Sequence, residues 1–141
     1  MTLPVPADEA WALLVDARNH ARWIPWTTVT TDGPPAVGGR VEARTARVLL
    51  DRMTITRLDP PVDGRAGVAG FEKRGPLLLG RALIAVRADG DVARVLWLED
   101  VHLAGLPPAL TRVVLRPVLA GMAALALRAV RRELRGAGRS A

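Results

Sequence analysis

The feature that most constrains this chain is a change of hydrophobic period near residue 107. From Arg40 to Leu103 apolar side chains recur largely at every second position, and from Pro107-Pro108 to Gly136 they recur at helical spacing. Strands followed by one long helix predict an α+β layer arrangement. A sheet must bury one face, and the last helix is the only element large enough to cover it. A curved sheet gripping a helix leaves room for a small molecule between them.

The N-terminal third adds two short helices. Pro6 suits a first helical turn, Asp8 and Glu9 favour the positive helix end, and Ala7, Ala10, Trp11 and Leu14 share one face. Asp16-Ala17-Arg18-Asn19 breaks that helix, and a single turn over Asn19–Trp23 stops before Pro25. Thr27–Thr31 is β-branched throughout and reads as a strand. Strands are predicted over Arg40–Val48 and Arg52–Leu58, with their turn near Leu49-Leu50-Asp51, and over Gly67–Lys73. Leu78–Ala88 and Val92–Leu103 flank Asp89-Gly90, a strong hairpin signal. That makes about six or seven strands.

On the last helix, Val114, Leu115, Val118, Leu119, Met122, Leu125, Ala129 and Leu134 fall on one arc, with Arg112, Arg116, Arg128, Arg131 and Arg135 opposite. Val114, Val118, Met122 and Leu125 are therefore expected to be nearly fully buried. Pro117 is expected to kink or weaken the first third of the helix. No linker or repeat interrupts the 141 residues, so one domain over 1–141 is expected, with 136–141 a frayed tail.

Composition narrows the chemistry. The chain has no cysteine, which excludes disulfides, thiolate metal sites and a cysteine nucleophile. The net charge is +6 and Lys73 is the only lysine, so arginine is the default cation. The arginines are spread along the chain and cluster only at Arg128, Arg131, Arg132 and Arg135, so no nucleic-acid partner is expected. The longest charge-free apolar run, between Arg116 and Arg128, is too short for a transmembrane segment, and no signal peptide is evident, so the expected location is cytoplasmic. No phosphate loop, Ser-centred elbow or metal-ligand spacing occurs, so neither cofactor nor metal is expected.

Several stretches carry a family resemblance: Pro6-Ala7-Asp8-Glu9-Ala10-Trp11 through Asp16, Trp23-Ile24-Pro25, Val37-Gly38-Gly39-Arg40, Asp51 through Pro61, and Val95-Leu96-Trp97-Leu98-Glu99. In this order and spacing the chain resembles the START-like, helix-grip superfamily, in particular its polyketide cyclase/dehydrase and lipid-transport branch. The resemblance implies a cavity for a hydrophobic small molecule between sheet and C-terminal helix, with Trp23 and Trp26 near its mouth. The chain departs from the family in two ways. Only Met1–Val5 precede the first helix where relatives have a full strand, and the chain has no tyrosine and two histidines. Enzymatic relatives place such polar groups in the cavity, so their activity carries over poorly.

The expected cavity residues are Trp23, Trp26, Met53, Ile55, Phe71, Trp97 and Glu99, joined by Val118 and Met122 of the last helix. Glu99 shares a strand face with Val95 and Trp97. If that face is concave, Glu99 is a carboxylate beside an aromatic wall, able to bind a ligand hydroxyl or act as a base; otherwise Leu96 and Leu98 face inward. No catalytic residue is assigned, and Glu99 is the best candidate. His20 reads as an exposed turn histidine, and His102 falls on the face opposite Glu99 in a regular strand. The function favoured by the sequence is binding of a polyketide-, lipid- or isoprenoid-like molecule. A cyclase/dehydrase using Glu99 is the enzymatic rival, and a basic module for an anionic membrane or RNA is the third reading. Ligand identity and oligomeric state are not legible in these residues.

Overall fold

The computed structural model describes residues 1–137, so the expected frayed tail lies, from residue 138 on, outside the described residues. The elements run β1 (Thr2–Leu3), α1 (Ala7–Val15), a short 3₁₀ helix (Ala17–Arg22), β2 (Thr27–Thr31), β3 (Arg40–Thr45), β4 (Leu49–Asp59), β5 (Gly67–Pro76), β6 (Leu78–Asp89), β7 (Val92–Leu103) and α2 (Pro108–Ala137). The strands form one antiparallel sheet in the order β1-β7-β6-β5-β4-β3-β2. This is the α+β helix-grip arrangement. Its core joins Leu14 of α1, Trp23, Ile84 and Val86 of β6, Val95 of β7 and Val130 of α2.

β1 has two residues, paired with Arg94 and Ala93 of β7, and the Met1 ammonium donates to the Val95 carbonyl at 2.7 Å. The hairpin at Asp89-Gly90 forms as its sequence predicts, with Asp89 paired to Val92 and Gly90 at φ +63°. The β3–β4 turn sits earlier than expected. It uses Ala46 and Arg47, both in the left-handed region at φ +51° and +62°. Neither residue advertises that conformation, so the sequence places the turn too late and leaves Asp51 in it. Asp51 is instead inside β4, on the concave face with Met53 and Ile55.

α2 is continuous through Pro117, but a different face packs on the sheet from the one the period predicts. Thr111, Ala123, Ala126, Leu127 and Val130 are buried; Val114, Val118 and Leu125 are exposed, and Met122 is half-buried. Polar contacts near both ends accompany this rotation. Trp23 Nε1 donates to Glu133 Oε2 at 2.9 Å, Arg22 pairs with Glu133 at 3.3 Å, and Arg112 pairs with Asp100 at 3.1 Å. The small side chains of Ala123 and Ala126 let this face approach the sheet closely. By length and composition α2 could cross a membrane, since its mean hydropathy reaches 1.8 despite its arginines. Counting only charge-free runs misses this.

Candidate functional site

A cavity of about 110 Å³ lies between the concave face of the sheet and α2. Its walls are chiefly apolar, including Val29, Val41, Phe71 and Ile84 from the sheet and Leu119, Met122 and Ala126 from α2. The register of β7 is settled: Trp97 and Glu99 line the cavity, while Leu96 and Leu98 are half-exposed on the convex side.

Three charged groups interrupt the apolar wall. Lys73 of β5 lies between two carboxylates, ion-paired with Asp51 of β4 and, at 3.4 Å, with Glu99 of β7. Gly80 and Ala82 of β6 stand between β5 and β7, paired with Lys73 and Glu99 respectively. Their small size leaves Lys73 a path to Glu99. Gly80 adopts φ +135°, and a Cβ there would collide with the Asp100 carbonyl, so glycine is required. Trp97 Nε1 donates to Glu99 Oε1 at 3.2 Å, and Met53 Sδ lies 3.7 Å from Lys73 Nζ. Burial opposes the Lys73 charge, but the Glu99 and Asp51 carboxylates outweigh it and hold the ammonium above its ordinary value. Asp51 Oδ1 has no hydrogen-bond donor among the described residues, and Glu99 Oε2 has only the Lys73 ammonium, 3.4 Å away. Buried carboxylate oxygens in that state are uncommon, and a bound group is one way to satisfy them.

His20 is buried rather than exposed, because it and Asn19 close the C-terminal end of α1. Asn19 Nδ2 donates to the Leu13 carbonyl at 2.9 Å and His20 Nε2 donates to the Leu14 carbonyl at 2.8 Å, satisfying acceptors that a helix end leaves open. A carbonyl only accepts, so the proton is on Nε2 and the neutral ring keeps Nδ1 as acceptor. The ring also packs on Trp97, centroid to centroid 5.0 Å.

Burial holds the His20 imidazole below its ordinary value, against the smaller opposing effects of the Leu14 carbonyl and Asp16. The unfolded chain then binds the proton more readily than the folded one, so stability falls as pH drops below about 6.5. Urea midpoints at pH 7.5 and 5.5 should differ more for the parent than for His20→Gln. An equal pH response in both would show that His20 stays solvated.

A family model described as polyketide cyclase/dehydrase and lipid transport matches residues 1–135. The chain belongs to this family. No curated protein and no solved structure matches it significantly.

Within the helix-grip frame of this polyketide cyclase/dehydrase and lipid-transport family, the sequence-selected residues divide. Met53, Phe71, Trp97, Glu99 and Met122 line the cavity. Trp23 and Ile55 are buried but outside its lining, Trp23 being held by Glu133. Trp26 does not flank the cavity. Its backbone is left-handed at φ +55°, and the residue is 85% exposed. Val118 is also excluded, because the rotation of α2 carries it to the outer face. Sequence reasoning missed Lys73, Asp51 and His20 as cavity residues. The signal for Lys73 was present: a lone lysine in a chain that otherwise uses arginine marks a position with its own requirement.

Proposed function

We propose that this protein binds a hydrophobic small molecule, polyketide-, lipid- or isoprenoid-like, in the cavity between sheet and α2. The observation that carries the reading is an apolar cavity with a charged Lys73–Asp51–Glu99 cluster in its wall. Apolar burial supplies most of the affinity, and the cluster sets the orientation of the polar end. The three ammonium protons of Lys73 face Asp51, Glu99 and Met53, which leaves none for a ligand anion. The unpartnered Asp51 Oδ1, beside a Glu99 Oε2 held only by the 3.4 Å contact with Lys73, favours a donor such as a hydroxyl. The cavity volume is close to that of engineered cavities that take one benzene, about 150 Å³. A longer ligand requires α2 to shift from the sheet.

Displacement of an environment-sensitive apolar dye tests this. Cyclohexylmethanol should displace it, and cyclohexanecarboxylate should do so at least tenfold more weakly. Ala123→Phe, which fills the space beneath α2, should abolish dye binding while the thermal transition stays cooperative. Dye binding unaffected by Ala123→Phe would place the ligand elsewhere. In a variant retaining only Trp97, ligand should quench or shift its fluorescence.

The enzymatic reading, a cyclase/dehydrase-type reaction, rests on Glu99 lining the cavity beside Trp97. Glu99→Gln separates the two. A binder changes affinity by about 1–3 kcal/mol where a hydrogen bond is altered. A base loses about 10²–10⁴-fold in turnover with affinity nearly kept.

A further inference from the structure

We propose that the outer face of α2 docks on the surface of an anionic bilayer. Leu110, Val113, Val114, Val118 and Leu125 are all more than half exposed, with Val113 at 73%. They recur three or four residues apart, with exposed Pro117 and Gly121 between them, and so form one continuous stripe. Leu106, just before the helix, extends it. Only 17% of the most apolar stretch of α2 is buried. Soluble proteins seldom leave an apolar patch of this extent uncovered, and such a patch marks an interaction site.

The same ladder changes character after Leu125. Its next positions are Arg128, Arg132 and Arg135, all exposed and without an ion-pair partner among the described residues. Residues 108–137 hold six arginines and one acid, Glu133, which is engaged by Trp23 and Arg22. The outer face therefore offers apolar side chains over roughly 22 Å of helix, at 1.5 Å per residue, and then uncompensated positive charge. A helix lying in a membrane interface uses this combination: apolar groups sink to the acyl boundary and arginines meet lipid phosphates. Because the opposite face of α2 grips the sheet, the helix lies along the bilayer and does not cross it.

Charge decides against the other occupants. Paired through the same face, α2 of a second copy brings no free acid to meet the arginines. Paired parallel it opposes arginine to arginine, and paired antiparallel it sets them over Leu106 and Leu110 of the other copy. Nucleic acid leaves the apolar stripe without a role.

The test is co-sedimentation of the intact protein with vesicles of pure phosphatidylcholine and of phosphatidylcholine mixed two to one with phosphatidylglycerol. Binding is expected to the mixed vesicles and to fall with salt. Arg128→Gln/Arg132→Gln should weaken it about fivefold per arginine, the equivalent of about 1 kcal/mol each. Val114→Ser/Val118→Ser should weaken it at least tenfold with an unchanged urea midpoint, since both side chains are exposed. Absence of binding to the mixed vesicles overturns the proposal. So does binding insensitive to the arginine pair, or binding insensitive to the valine pair, which would report only the net charge of the chain. A dimer in light scattering that Val114→Glu dissolves assigns the stripe to a second copy and also overturns it.

Discussion

Replacing Lys73 with methionine should destabilise the protein by about 3–5 kcal/mol, the usual cost of removing one partner from a buried ionic cluster. Lys73 is 7% exposed, and the carboxylates on either side of it are nearly as buried. The cost arises from leaving Asp51 and Glu99 near each other without a cation, more than from losing a favourable pair. Adding Asp51→Asn and Glu99→Gln to Lys73→Met should therefore recover much of the loss. A urea midpoint for Lys73→Met equal to the parent's would show that water solvates the cluster and that the cavity is not a dry site. The sign of the pH dependence follows from the raised Lys73 value. The folded state holds the proton more tightly than the unfolded one, so this contribution is fully present below about pH 10.4 and is lost as pH rises through the folded value. Alkaline unfolding should begin earlier in the parent than in the triple variant.

Leu127→Ala should cost about 2–5 kcal/mol, whereas Leu125→Ala should stay within about 0.5 kcal/mol of the parent. A single turn of one helix carries both residues, about 200° apart around its axis, yet Leu127 is 5% exposed and Leu125 is 59% exposed. Chemical-denaturation midpoints for the two variants read the rotation of α2 directly. The reverse order, with Leu125→Ala the costly change, would restore the face that hydrophobic periodicity predicts and remove the outer stripe.

This contrast shows where sequence reasoning stopped. Apolar residues on α2 occur nearly all round, so a search for the most hydrophobic arc settles on the large residues Val114, Val118 and Leu125. The helix instead seats its small residues Ala123 and Ala126 against the sheet, with polar ties to Trp23, Arg22 and Asp100 in that rotation. Those ties join residues as far apart as 23 and 133, which no local pattern records. Trp26 failed for a related reason: its left-handed backbone turns it outward, and no glycine marks the break.

Where a signal is local and repeated, the sequence was sufficient. Alternation in Val92–Leu103, the Asp89-Gly90 turn and the long helical run determined an α+β fold in which a curved sheet grips the last helix, because each depends on period and turn chemistry within a few residues. It also placed Val95, Trp97 and Glu99 on one face, since strand geometry alone sets that relation. Only the tertiary structure decided that this face is concave, that Lys73 lies between Asp51 and Glu99, and that α2 turns its large apolar residues outward. These depend on distances between strands and on which of several apolar surfaces packs closest, quantities that arise when the whole chain is assembled.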